Sequence, residues 1–97
     1  MHAPLAPERR LLLKAADLLR EKGWCQRVLE RDGMHCVVGA VFASAPEDGL
    51  TPVSVLALDL LGKFIGIDRA YLPSWNNADE RTVEEVIEAL DGAALRT

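Results

Sequence analysis

The sequence predicts a mainly α-helical fold, a small single-domain bundle of three to four helices with one short β-hairpin allowed around residues 26–36. Two segments carry apolar residues at the three- and four-residue spacing of amphipathic helices, and a third is apolar on nearly every side. The chain has 97 residues, 49% of them hydrophobic and 27% charged, which is the composition of one folded domain rather than a disordered segment. We expect this domain to span residues 1–97, with residues 1–6 as a flexible tail.

Residues 7–22 form the first predicted helix. Pro7 suits the first helical position, where a missing N–H costs nothing, and Gly23 is a typical residue after a helix end. The basic side chains of Arg20 and Lys22 complement the negative end of the helix dipole. One side collects the apolar residues and predicts a face packed on the core: Leu11, Leu12, Ala15, Ala16, Leu18 and Leu19.

Residues 25–38 allow two interpretations, a short hairpin followed by a helix or a helix throughout. The pair Asp32-Gly33 between two apolar runs is typical of a two-residue hairpin turn. That turn would set Glu30 opposite His35, and a longer hairpin would set Cys25 opposite Ala40. In such a hairpin the two cysteines would lie more than about 10 Å apart, too far for a disulfide.

Residues 51–65 form the second predicted helix, with Thr51 as its cap and Pro52 in its first turn. Its apolar residues leave little polar face: Val53, Val55, Leu56, Leu58, Leu60, Leu61, Phe64 and Ile65. A helix of this kind is either the central element of a fold or partly buried against another subunit. If the monomer covers only half of it, we expect a homodimer through the 53–65 helix.

Residues 82–91 form the third predicted helix. Thr82 and Glu85 have the spacing of a capping box, in which each side chain accepts from the other residue's backbone N–H. The apolar residues Val83, Val86, Ile87, Leu90 and Ala94 make a core-facing stripe. The carboxylates on the other side are expected to be a solvated helix face.

The charge is unevenly distributed along the chain. Residues 1–31 hold seven Arg or Lys and four Asp or Glu, a charge of +3, and residues 32–97 hold four and eleven, a charge of −7. The basic residues are interleaved with acids, so we expect no nucleic-acid partner. No apolar run reaches the roughly 18 residues needed to cross a bilayer, and the N-terminus lacks the pattern of a signal peptide. We therefore expect no membrane partner, and cytoplasmic residence.

Cys36 is the candidate nucleophile, with His35 and Asn76 as candidate helpers. A cysteine in the first turn of a helix feels the positive end of the dipole, which favours the reactive thiolate. The alternative is that Cys36 is a small buried apolar residue. If residues 34–36 are a strand, His35 and Cys36 point in opposite directions and cannot act as a pair.

The spacing of the histidines and cysteines does not match a metal site. Zinc ligands commonly come in pairs with two to five residues between them, whereas His35 and Cys36 are adjacent and Cys25 lies ten positions before His35. We expect no metal and no cofactor.

Residues 71–81, YLPSWNNADER, are expected to form a loop between helices. Trp75 would anchor this loop on the core, while Asn76 and Asn77 would bond neighbouring backbone groups. The functional alternative makes the loop a binding site. Its candidate residues, with those near the first cysteine, are Trp24, Cys25, Trp75, Asn76 and Arg81.

Four motifs in order, GWCQ, CVVGA, WNN and RTVEEV, make the chain similar to a small family of uncharacterised domains of actinobacteria and their phages. The resemblance runs from about Leu11 to Ala94. Members of that family often have Asn-Asp where this chain has Asn76-Asn77, so a carboxylate at position 77 is not essential here. The resemblance implies where a shared site would be sought: Trp24, Cys25, Cys36, Gly39, Trp75, Asn76, Arg81 and Thr82.

Two hypotheses about function follow. The first is a non-catalytic binding or accessory module that acts through protein–protein contacts, with an unidentified protein partner or a second copy of itself. The second is a small cysteine-dependent or small-molecule-binding enzyme that uses Cys36. The absence of a recognisable catalytic set favours the first.

Overall fold

The computed structural model describes residues 4–47 and 50–96, and it confirms the mainly helical fold with one short hairpin. The expected tail at residues 1–6 lies partly outside these ranges. Within them, the elements in chain order are α1 (Pro7–Lys22), β1 (Glu30–Arg31), β2 (Met34–His35), α2 (Val37–Ser44), α3 (Pro52–Ile65), a 3-10 turn (Arg69–Tyr71), α4 (Leu72–Asn76) and α5 (Val83–Leu95). No helix in this part of the chain is both long and apolar enough to span a bilayer.

Helix α1 is the element that the others surround. It packs against α2, α3 and α5, and it buries Leu11, Leu12, Ala15, Ala16 and Leu19. The guanidinium of Arg9 donates to the carbonyls of Ala93 and Ala94 at 3.2 and 3.1 Å. Because the last carbonyls of a helix lack partners within it, Arg9 satisfies the C-terminal end of α5 from across the core.

The hairpin of residues 30–35 has the predicted register, with Glu30 opposite His35 and Arg31 opposite Met34. It is short, however, and the longer hairpin that would set Cys25 opposite Ala40 is wrong. Helix α2 begins at Val37, so the second strand ends before it could reach that far. The incoming chain instead runs parallel to β2, forming a bridge between Trp24 and His35.

A glycine fixes how closely the hairpin approaches α2. A Cβ placed on Gly39 would lie 2.1 Å from the carbonyl oxygen of Leu29, so no other residue fits without moving the backbone. The same carbonyl accepts from the N–H of Cys36 at 3.1 Å. The loop before β1 is therefore held directly against the first turn of α2.

Helices α3 and α5 begin with reciprocal caps. Thr82 and Glu85 form the predicted capping box at α5. At α3 the same arrangement joins Thr51 and Ser54. The sequence predicted Thr51 as the cap but not its partner, because serine is not a usual residue at the third position of this motif. Helix α5 also continues to Leu95, past the predicted end at residue 91.

Residues 71–81 are not simply a loop. The 3-10 turn is followed by α4, and Trp75 and Asn76 both lie on this short helix. Pro73 occupies its first turn and Leu72 is fully buried, which fixes the helix on the core. This placement turns Asn76 inward.

Candidate functional site

Asn76 is the centre of the site that the sequence singled out. It is fully buried at the end of α4. Its Oδ1 accepts from Trp24 Nε1 at 2.7 Å and from the backbone N–H of Val37 at 3.0 Å. Its Nδ2 donates to the carbonyl of Cys25 at 3.2 Å and to Asn77 Oδ1 at 3.1 Å. Two donated and two accepted bonds are the usual full capacity of a side-chain amide.

Gln26 and Asn77 complete this network, which we call the Asn76 clamp (Trp24, Cys25, Gln26, Val37, Asn76 and Asn77). Gln26 Nε2 donates to the carbonyls of Asn76 and Ala78, at 3.0 and 2.9 Å. Asn77 Oδ1 accepts from the N–H of Arg27 at 2.7 Å. Gln26 is the last residue of the GWCQ motif, but no role was predicted for it. Its position next to Trp24 and Cys25 was the signal that could have indicated one.

The backbone of Arg27 is strained at the edge of the clamp. Its φ of +76° is in the left-handed region that residues with a side chain rarely adopt. The bond from its N–H to Asn77 holds it there, and an ion pair of 3.4 Å joins its guanidinium to the exposed Asp79. The clamp therefore fixes the direction in which the chain leaves residue 26.

Trp75 and Arg81 form a separate pair beside the clamp. The guanidinium carbon of Arg81 lies 4.3 Å from the centre of the Trp75 ring, and Arg81 Nε donates to the Trp75 carbonyl at 2.9 Å. Arg81 also pairs with Glu85 at 3.2 Å. Trp75 is half-buried and packs against the core. Trp75 thus contacts the core as the expected anchor would, although it is only partly buried, and the Arg81 cation lies over its ring.

Cys36 is the N-cap residue of α2, where its Sγ accepts from the N–H of Gly39 at 3.2 Å. Its side chain is buried among apolar residues of the core. Both predicted features of this cysteine are present, since it lies at a helix start and is also buried. The sulfur is occupied as a cap, a role that serines and threonines usually perform.

Cys25 is also buried, and its thiol donates weakly to backbone carbonyls, of which Met34 is 3.6 Å away. Burial raises the pKa of the Cys25 thiol, and the nearby Cys36 raises it further. A raised pKa disfavours the thiolate, which is the nucleophilic form.

His35 does not join Cys36 and Asn76. It lies on β2, where alternation of the strand sends it away from Cys36. It lines a shallow groove of about 340 Å³ with Asp17, Glu21 and Ser44. Its Nδ1 is buried and has no hydrogen-bond partner among the described residues.

The candidate residues therefore separate into three places. Trp24, Cys25 and Asn76 meet in the clamp, which also holds the start of the helix that Cys36 caps. Trp75 and Arg81 form their own pair, and His35 lies beside α1. Across residues 4–47 and 50–96, no three His, Cys, Asp or Glu side chains are grouped to hold a metal ion. A broader groove of about 620 Å³ runs along the outer face of α5 past Leu95, and it shares no residue with the clamp.

Comparison with known proteins gives one family match. The model of a family of unknown function (DUF6197) matches residues 3–96. Neither the curated proteins nor the solved structures contain a match to the chain.

Proposed function

We propose that the chain, which belongs to this family of unknown function, is a non-catalytic protein-binding module that forms a homodimer through α3. One observation carries the proposal, a stripe of incompletely covered apolar side chains along this helix. The stripe consists of Val53, Leu56, Leu60 and Phe64, and we call it the α3 stripe. Leu56 is 52% exposed and the other three are half-buried.

The spacing of the α3 stripe is that of a helix-pairing seam. Its members are three, four and four residues apart, which places them along one side of a helix, as in coiled coils. The core-facing side of α3 buries Ser54, Ala57, Leu58, Leu61 and Gly62. Part of the surface of Val53, Leu60 and Phe64 also packs against this core, so Leu56 is the most exposed member of the stripe. Exposed Leu50 and Pro52 extend the apolar surface at the start of the helix.

A second copy is the occupant that suits this surface. A two-fold axis brings the same patch of two chains together, so the patch must be self-complementary. The α3 stripe contains no charged residue, and the neighbouring Asp59 is already paired with Arg69 at 2.6 Å within the chain. The four side chains of the stripe therefore set no like charges against each other, while the exposed Lys63 lies on the same side of α3 as Leu56.

The length of α3 limits the strength of this dimer. A helix of 14 residues is about 21 Å long, whereas a standard interface buries roughly 800 Å² on each partner. One helix pair supplies only part of that area, so we expect a reversible dimer in the micromolar range rather than an obligate one.

The alternative of chemistry at Cys36 has less support in the geometry. The sulfur is buried and acts as a helix cap, His35 faces another groove, and Asn76 has its full set of hydrogen bonds within the protein. A nucleophile needs a base within hydrogen-bond reach, and a helper needs capacity left for a substrate. Asn76 has no hydrogen-bonding capacity left, and His35, although its Nδ1 has no partner among the described residues, faces away from the Cys36 sulfur.

Sedimentation velocity over a range of protein concentrations tests the homodimer. We expect the parent protein to shift from monomer to dimer as its concentration rises into the hundreds of micromolar, and Leu56→Glu to remain monomeric. The matched control is Leu95→Glu, which places the same charge at a 61% exposed leucine on α5 and should leave the dimer intact.

Circular dichroism of both variants establishes that they are folded. A parent protein that stays monomeric at high micromolar concentration would contradict the proposal. Equal loss of the dimer in both variants would also contradict it, since the interface would then not be specific to α3.

A further inference from the structure

The two cysteines, Cys25 and Cys36, are neighbours in space because of the bridge between Trp24 and His35. The N–H of His35 donates to the carbonyl of Gly23 at 3.2 Å, and the N–H of Cys25 donates to the carbonyl of His35 at 3.1 Å. This is the hydrogen-bond pattern of a parallel strand pair. In that arrangement the next residues along the two strands, Cys25 and Cys36, are also side by side.

The second of these hydrogen bonds limits the distance between the cysteines. Adding standard covalent geometry on both sides of the 3.1 Å contact puts the two Cα atoms at most about 7.5 Å apart. Disulfides span Cα distances of roughly 4.4 to 6.8 Å. The longer hairpin implied that the two cysteines lie more than about 10 Å apart, and this prediction is therefore wrong. Both thiols are free in the structure.

The directions and surroundings of the two side chains agree with this closeness. Residues paired across parallel strands place their side chains on the same face, and both sulfurs are buried, with 6% and 5% of each residue exposed. Cys25 Sγ lies 3.6 Å from the carbonyl of Met34, and Cys36 Sγ lies 3.2 Å from the N–H of Gly39. Both sulfurs thus lie close to the backbone of residues 34–39, where the hairpin leads into α2.

We propose that Cys25 and Cys36 are a modification site, at which an organic disulfide such as oxidised glutathione converts the two thiols into a reversible intramolecular disulfide. One protein thiolate attacks the oxidant, forming a mixed disulfide and releasing one glutathione thiol. The second protein thiolate attacks the protein sulfur of that mixed disulfide and releases the other. Two S–H bonds are replaced by one S–S bond, and the oxidant is reduced to two thiols.

The disulfide would close residues 25–36, which contain the hairpin, into a covalent loop. Hydrogen bonds and packing already hold this segment in the folded protein. Asn76 Nδ2 binds the carbonyl of Cys25, and the carbonyl of Leu29 rests on Gly39. Since the backbone is already held in place on both sides, the cross-link would restrict mainly the unfolded chain. Burial raises the pKa of Cys25 and lowers its thiolate fraction, so the reaction is slow. In a reducing cytoplasm such a disulfide would be transient.

Mass spectrometry of the folded protein incubated with oxidised glutathione tests the site. We expect a loss of about 2 Da from the intact chain and reversal by dithiothreitol. After trypsin, peptide 23–27 should be joined to peptide 32–63, because cleavage follows Lys22, Arg27, Arg31 and Lys63. The oxidised protein should melt higher than the reduced protein by roughly 5 °C or more.

Cys25→Ser and Cys36→Ser are the matched controls, and each should stop at the mixed disulfide. A parent protein that also stops there would overturn the proposal, as would a disulfide between two chains. Thiols that stay reduced in the folded protein while the urea-unfolded chain oxidises would overturn it too. So would a lower melting temperature after oxidation, because it would mean that the fold must distort to bring the sulfurs together.

Discussion

Individual side chains of segment 24–37, and Asn76 bound to that segment, have roles that depend on their partners in the fold. Cys36 caps a helix, a position usually held by a hydroxyl or carboxylate, and its neighbour His35 faces away into a surface groove. Asn76 uses its full hydrogen-bonding capacity inside the core. The residue types were visible in the sequence, but their roles follow from these partners.

The buried thiol of Cys25 predicts a pH dependence of stability. Burial raises its pKa in the folded protein, while the unfolded chain keeps an ordinary value of about 8.5. As the pH rises through that value the unfolded state loses the proton first, so the free energy of unfolding falls at higher pH. Its contribution is fully present below about pH 8 and is lost as the pH rises toward the folded pKa.

Urea denaturation at pH 7.5, 8.5 and 9.5 under reducing conditions measures this effect. We expect the free energy of unfolding to fall more steeply with pH for the parent protein than for Cys25→Ala, in which the thiol is absent. Parallel pH profiles for the two proteins would show that the Cys25 thiol has no raised pKa.

At the scale of the element, the three long helices follow from local signals, and α3 and α5 begin at side-chain caps. The capping box of Thr82 and Glu85 supplies partners for the first backbone N–H groups of α5. The same bonds lower the pKa of Glu85, chiefly through the backbone N–H of Thr82. Because Glu85 is charged when it accepts these bonds, the cap weakens as the pH falls through its lowered pKa.

Thr82→Ala should lower the free energy of unfolding by about 1 kcal/mol, because the N–H of Glu85 loses the oxygen it donates to at 3.2 Å. Thr82→Ser keeps that oxygen and is the matched control, which we expect to be close to the parent. Chemical denaturation monitored by circular dichroism compares the three proteins. If alanine and serine had the same effect, the hydroxyl would not be the stabilising group.

At the scale of the whole molecule, the fold is held by contacts between segments far apart in the chain. Helix α1 packs against α2, α3 and α5, Arg9 caps the end of α5, and Arg20 pairs with Asp91. On the other side of the fold, the Asn76 clamp joins the chain after α1 to the end of α4. The clamp therefore fixes the hairpin and the start of α2 relative to the rest.

Asn76→Ala should lower the free energy of unfolding by about 3 kcal/mol, because the N–H of Val37 and the Trp24 indole lose their buried acceptor. The matched control is Ser74→Ala, an exposed position on the same short helix that we expect to be nearly neutral. Thermal unfolding monitored by tryptophan fluorescence reports the surroundings of Trp24 and Trp75 together. A variant as stable as the parent would mean that the clamp does not hold the two segments together.

The sequence by itself determined the mainly helical fold, the start and end of α1, the capping box of α5 and the turn of the hairpin. Each depends on residues within a few positions of one another, through helical periodicity, glycine and proline geometry, or a cap. Only the tertiary structure decided that residues 72–76 are helical, that the hairpin is short, and that Cys25 lies beside Cys36. These features depend on the packing of α4 and α2 and on the bridge between residues 24 and 35. A local sequence pattern does not predict such contacts, because they join residues that are far apart in the chain.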